Sequence, residues 1–268
     1  MFIFIIAILW FVVLSLITLV LLPIGYLIGL FSKKARDYYC LWFVQWSLKS
    51  ILVTTRTKVV YKGLEYLPKK GDPAVCYISN HTGFFDILAC YPVFHDRTGF
   101  VAKSEMEKWP VISWWMPLVH CLFLDRKDKK KGVKTILEGI KKIKSGVSMV
   151  IYPEGTRSKQ EGRLLNFHTG SFKLATKNRT TIIPVAMNNS GAAFENCIPH
   201  MKKSCISVEF LEPINIKDMS HEELDELPVR VRELIYERII ANGKEIGSVP
   251  QDFVRPADVL GFGSSSGE

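Results

Sequence analysis

No charged side chain occurs between Met1 and Ser32. The run Phe2–Leu22 is about 21 residues, roughly 31 Å of helix, which matches the hydrocarbon thickness of a bilayer. A helix that is apolar on every side has no polar face to turn toward water, so burial at the surface of a soluble domain does not suit it. A cleaved signal peptide needs a charged start, a shorter apolar stretch and a small-residue cleavage site, and these are missing. The run therefore reads as a retained membrane anchor. Pro23 and Gly25 are expected to interrupt it. A second apolar stretch, Tyr38–Val53, carries Tyr38, Tyr39, Trp42, Phe43 and Trp46 with Lys49 as its one charge, a composition suited to the membrane interface. A full span and a one-leaflet hairpin bent near Pro23 both fit. Lys33, Lys34 and Arg36 place the end of the anchor, and the domain after it, on the cytoplasmic side of the membrane.

From residue 54 the pattern changes to short apolar runs alternating with helical stretches. The expected strands are Thr57–Tyr61, Ala74–Ser79, Gly99–Ala102, Cys121–Leu124, Ser148–Tyr152, Thr181–Met187 and Cys205–Leu211. The clearest helix covers Gly132–Lys144, with Val133, Ile136, Leu137, Ile140 and Ile143 at helical spacing and lysines on the other face. A further helix, Glu222–Ala241, closes the domain. Such alternation predicts an α/β domain: a largely parallel sheet flanked by helices, carrying an N-terminal hydrophobic helical anchor. The expected division is 1–53 for membrane-anchoring helices, 54–245 for the main domain and 246–268 for a C-terminal tail, whose Gly/Ser-rich end Gly261–Glu268 is expected to be mobile.

The net charge of +9, from 35 Lys and Arg against 26 Asp and Glu, suits an anionic partner. Aromatics are not interleaved with the basic residues, and an apolar N-terminus has no role on nucleic acid, so a membrane or a phosphorylated substrate fits better. The six cysteines include no C-x-x-C pair, and several sit in apolar runs. They read as buried reduced thiols, and no Cys/His cluster has the spacing of zinc ligands.

The chemistry concentrates where strands end. Asn80-His81-Thr82-Gly83-Phe84-Phe85-Asp86 directly follows the strand Ala74–Ser79, the kind of place where open α/β folds hold reacting groups. With His81 in the turn and Asp86 in the first helical turns, the carboxylate takes the proton of one ring nitrogen and leaves the other as a base. A base of this kind contributes about 10²–10⁴ in rate. A hydrolase needs a serine on a strained elbow as well. The one G-x-S-x-G match, Gly263–Gly267, has no strand before it and no room for a helix after it. Without a protein nucleophile, the pair is expected to activate a hydroxyl that arrives with the substrate, which is direct group transfer to an alcohol.

A second stretch, Tyr152-Pro153-Glu154-Gly155-Thr156-Arg157-Ser158, again ends an apolar strand. Gly155 lets backbone approach a ligand closely, and Arg157 offers a planar fork for a phosphate. Glu154 either orients Arg157 or accepts a substrate hydroxyl. Lys103 and Arg126 also sit at strand ends. In a parallel sheet these cations converge beside His81, opposed in these loops only by Glu154 and Asp125, which points to a bound phosphate. His168 reads as a solvated histidine or the start of a helix over Phe167–Lys173, whose N-terminal amides add to anion binding.

These segments resemble the glycerophospholipid acyltransferases, and within them the enzymes acting on 1-acylglycerol-3-phosphate. The resemblance covers roughly residues 60–215 and rests on four motifs in order: Asn80-His81…Asp86; Lys103 leading to Phe123-Leu124-Asp125-Arg126; Tyr152–Ser158; and Ile182-Ile183-Pro184-Val185-Ala186. It implies His81 as general base oriented by Asp86. It implies Lys103, Arg126, Glu154, Gly155, Thr156 and Arg157 around the glycerol phosphate, and Ile183 and Pro184 on the acyl side. It also implies an acyl-CoA or acyl-carrier-protein donor used as co-substrate, with no cofactor and no metal. Two departures stand out. Tyr152 replaces the usual Phe, and His168-Thr169 stand where the family often has two lysines, which bears on the acceptor headgroup. The alternatives are another lysolipid acceptor (lysophosphatidylethanolamine, lysocardiolipin or a lyso-aminolipid) or a lipid-binding protein without catalysis.

Overall fold

A computed structural model describes residues 2–158 and 160–254. The Gly/Ser-rich end and the Gly263–Gly267 match lie outside the described residues. In chain order the elements are α1 (Phe2–Phe31), α2 (Lys33–Thr54), β1 (Lys58–Lys62), β2 (Cys76–Ser79), α3 (Phe85–Cys90), β3 (Thr98–Lys103), α4 (Ile112–Trp115), β4 (Leu122–Leu124), α5 (Lys129–Lys144), β5 (Ser148–Ile151), α6 (Thr169–Thr176), β6 (Ile182–Asn188), β7 (Cys205–Phe210) and α7 (His221–Glu245), with single 3₁₀ turns between some of them.

All seven expected strands form one sheet, in the order β1-β7-β6-β2-β5-β3-β4. The five strands from β6 to β4 run parallel, so their carboxyl ends share one edge. β7 is antiparallel to β6 and parallel to β1, so these two strands run the other way. Side chains alternate between two packed faces, as the pleat requires. Tyr77, Val150, Ile183 and Phe210 face α2 and α3; Cys76, Met149, Ile151, Ile182 and Ala186 face the layer containing α5, α6 and α7. Helix ends follow local chemistry. Asp128 accepts from the amides of Lys130 and Lys131, which starts α5 earlier than its apolar periodicity does. Ser220 and Glu223 form a reciprocal capping box at the start of α7.

The N-terminus departs from expectation at Pro23, because α1 continues through it. The packing that holds the helix does not stop there. α2 folds back antiparallel on α1, with Trp10 Nε1 donating to Ser50 Oγ at 2.7 Å and Tyr39 Oη donating to Leu21 O at 2.9 Å. Just past the proline, Gly25 lies close against Tyr39 and Cys40. α1 is long and apolar enough to cross a membrane, and most of its side chains, including Leu9, Leu16, Val20 and Leu30, are exposed. α2 is two-sided. Trp42 and Val53 are exposed, whereas Cys40, Leu41, Phe43 and Leu52 enter the core over the sheet. Burying Phe43, whose ring lies 4.4 Å from that of Trp115, contributes about 1.5–3 kcal/mol. Gln45 Nε2 donates to the carbonyls of Tyr91 and Phe94 just beyond α3.

Asp37 locks the hairpin to the lower edge of the sheet. Its buried carboxylate receives Arg36 Nη2 at 2.9 Å and His120 Nε2 at 3.0 Å, and Arg97 Nη1 lies 4.0 Å away. Asp37→Asn is expected to destabilise the protein by about 1–3 kcal/mol, because its part-buried donors lose a charged acceptor. Chemical denaturation in detergent reads the loss directly, and an unchanged midpoint contradicts the locking role.

Candidate active site

The site is built on the carboxyl edge of β2, between β5 and β6. Asn80 closes the gap to β6: its Nδ2 donates to Met187 O and its Oδ1 accepts from Met187 N, both at 2.8 Å. This buried amide pair sets the direction in which the chain leaves the strand. His81 comes next, and its ring stacks on Tyr152 at the end of β5, with centroids 4.3 Å apart and planes 20° apart. Its Nδ1 lies 2.6 Å from Asp86 Oδ2. Asp86 is fully buried in the first turn of α3, and the same oxygen accepts from the amides of Thr82 (2.7 Å) and Gly83 (3.0 Å). Two backbone amides and the imidazole point at this one oxygen, an arrangement that suits the tautomer with the proton on Nδ1 and the lone pair on Nε2.

Glu154 is buried, and backbone amides rather than Arg157 hold its carboxyl group. Its Oε1 accepts from His81 N at 2.7 Å and its Oε2 from Leu165 N at 2.9 Å, so the carboxylate ties the histidine turn to the loop before α6. Burial is the largest influence on it, outweighs the two amide donations and pushes this carboxyl up to about 8. Gly155 holds φ +69°, a left-handed conformation that a glycine adopts at no steric cost. A Cβ there meets His168 Cδ2 at 3.2 Å and lies 3.6 Å from Arg126 Nη1, so the turn, His168 and Arg126 come together. His168 occupies the N-cap position of α6, the helix-starting role expected of it. Thr156 is exposed on the same turn.

Arg157 reaches the site, but a partner already holds it. Its guanidinium lies over the Phe84 ring at 4.3 Å, and Nη1 is 3.1 Å from Glu195 Oε1. Lys103, more than half exposed, pairs with Glu105 at 3.0 Å. The expectation that Glu154 and Asp125 are the only acids among these cations is therefore wrong. Glu195 and Glu105 are placed by loop geometry, and no sequence spacing marks Glu195 as a neighbour of Arg157, 38 positions away. Ile183 and Pro184 lie mid-strand in β6, opposite Tyr77 and Ile78 of β2, rather than among the loops with His81.

Residues 58–188 match the family model described as Acyltransferase. That stretch of the chain is similar to the acyltransferase family. The matched stretch runs from β1 to β6, which carry every strand end named above. Curated relatives include 1-acyl-sn-glycerol-3-phosphate acyltransferase of Saccharomyces cerevisiae, 29% identical over 70% of this chain and 60% of its own length. The chloroplastic 1-acyl-sn-glycerol-3-phosphate acyltransferase LPAT1 of Arabidopsis thaliana is 32% identical over 65% of this chain and 48% of its own. The chain therefore spans 48–60% of the length of these relatives. The crystal structure of the 1-acyl-sn-glycerophosphate (LPA) acyltransferase PlsC from Thermotoga maritima superposes with a TM-score of 0.68 at 24% identity, covering 88% of this chain and 99% of that one. It shares the fold found here.

The raised Glu154 carboxyl gives a stability signature. The folded state holds this proton up to about pH 8, whereas the unfolded chain releases it near 4.5. The contribution is complete below the lower value and is lost as pH rises to the upper one. Unfolding free energy is expected to fall across this window, and Glu154→Gln to flatten that fall by up to about one proton while lowering stability overall. Denaturation curves in detergent between pH 5 and 9 test this; an identical slope in wild type and variant refutes it.

Proposed function

We propose that the protein transfers a fatty acyl group from acyl-CoA or acyl-carrier protein to the free hydroxyl of 1-acylglycerol-3-phosphate, giving phosphatidic acid. The observation that carries this reading is the 2.6 Å contact between His81 Nδ1 and the buried Asp86 carboxylate, beside Arg157 and Arg126 on one sheet edge. The names of the relatives support it.

In this mechanism Nε2 of His81 removes the proton from the acceptor hydroxyl as its oxygen attacks the thioester carbonyl carbon. The tetrahedral adduct collapses, the C–S bond breaks, and the thiolate leaves with its electron pair. The proton on Nε2 then passes to the departing sulfur, which returns the imidazole to its starting state. Asp86 stabilises the transient imidazolium without taking the proton. Tyr152 beneath the ring restricts its orientation, and the cations hold the headgroup so that hydroxyl and base meet in a positioned encounter. Gly155 and Thr156 line the headgroup turn, with Lys103 at its rim. Ile183 and Pro184 shape the floor toward the acyl chain from within β6. No cofactor and no metal takes part. The apolar α1 lies in the membrane that supplies the acceptor, and Lys33, Lys34 and Arg36 hold the domain on the cytoplasmic face.

His81→Ala is expected to abolish thiol release from acyl-CoA, a loss of about 10²–10⁴ or more in rate, while the folded content is kept. Turnover retained by the purified variant rejects the role. Arg157→Ala is expected mainly to raise KM for the phosphate-bearing acceptor. The measurement is a saturation series in 1-acylglycerol-3-phosphate, and an unaltered KM removes Arg157 from the headgroup site.

A further inference from the structure

Glu195 lies in the turn after β6, outside the four sequence motifs. Its Oε1 serves two donors at once: Arg157 Nη1 at 3.1 Å and the backbone amide of Phe84, two residues ahead of Asp86. Both carboxylate oxygens come within 3.0 Å of the position that a Cβ on Gly83 takes, so the turn closes tightly over the histidine loop. Oε2 is buried and has no hydrogen-bond partner among the described residues. A carboxylate with one satisfied oxygen and one orphaned one thus sits on the cation best placed for a phosphate. Beside it, Thr82 Oγ1 bonds to Ser190 Oγ at 2.5 Å and to Asp86 Oδ1 at 3.2 Å, so the β6 turn and the His81–Asp86 pair form one network.

We propose that Glu195 determines headgroup specificity: its carboxylate occupies the fork of Arg157, and an acceptor phosphate must displace it or share the guanidinium with it. This inference rests on the assignment of Arg157 to the acceptor headgroup. The physical argument is one of charge. Arg157 keeps further N–H donors on its exposed side, so a phosphate can approach while Nη1 stays paired. It then lies close to a fixed negative charge in a partly desolvated place, where like charges interact more strongly than in water. The stacked Phe84 ring keeps the guanidinium plane in position whichever anion it serves. Glu195 therefore weakens the grip on strongly anionic headgroups and makes the site more permissive toward headgroups of lower charge. Gln at this position keeps a carbonyl oxygen for the Phe84 amide and removes only the charge.

The test is the variant Glu195→Gln, purified in detergent, with two acceptors: 1-acylglycerol-3-phosphate and 1-acylglycerol, which lacks the phosphate. The ratio of their KM values is expected to shift by about tenfold in favour of the phosphate-bearing acceptor, the scale of one close charge interaction. Calorimetric titration with glycerol 3-phosphate supplies a readout independent of turnover: Glu195→Gln binds it more tightly than wild type, and adding Arg157→Ala to Glu195→Gln removes the gain. If wild type transfers no acyl group to either acceptor yet this binding pattern holds, Glu195 controls an anion site and the acyl-transfer assignment alone fails. An unshifted KM ratio with unchanged or weaker glycerol 3-phosphate binding overturns the role of Glu195. Glu195→Asp separates charge from packing: a wild-type KM ratio in it supports the charge argument, and a ratio matching that of Glu195→Gln overturns it.

Discussion

One buried oxygen organises the site. Asp86 Oδ2 takes the imidazole of His81 and the amides of Thr82 and Gly83 within 3.0 Å. A charge with no exposure is costly to bury unless donors surround it, and here the donors come from the loop that must be shaped. The same interaction stabilises the ion, bends residues 81–83 around it and fixes the tautomer of the ring. The geometry of the pair and local folding are therefore one energetic event, and the loop cannot relax to solvent without stranding the carboxylate.

Around that centre, neighbouring elements hold the loop from several directions. Asn80 ties it to β6, Glu154 ties the His81 amide to the loop before α6, and Tyr152 supplies a flat surface under the ring. These groups come from β2, β6 and the end of β5, which are adjacent in the sheet though far apart in the chain. A parallel arrangement makes such convergence general, because every crossover returns the next strand end to the same edge. The reversal of β7 and β1 lies at one side and leaves this edge intact. The α1–α2 hairpin covers the face of the sheet that contains Tyr77 and Ile183, so the apolar N-terminal helix and the His81 loop belong to one packed domain rather than being joined by a flexible tether.

Electrostatics adds a second layer. The basic excess of the whole chain gives a misleading impression of the site itself, where Arg157 and Lys103 each carry an acidic partner. A cation already paired offers a phosphate less than its formal charge promises, and the difference depends on whether the partner can move or must stay.

The amino-acid sequence by itself determined the seven strands, the chain order of the motifs, the apolar N-terminal helix and the pairing of His81 with Asp86. Each rests on local information: side-chain period, strand-end position, or a five-residue spacing that one turn can close. Tertiary structure alone decided that α1 runs through Pro23, that Glu154 anchors backbone instead of meeting Arg157, and that Glu195 takes that place. Helix continuity at a proline depends on the packing of a second helix. The partner of a charged side chain depends on which loops a sheet brings to one edge, and Glu195 reaches Arg157 only after β6 has threaded beside β2, a neighbourhood no spacing in the chain encodes.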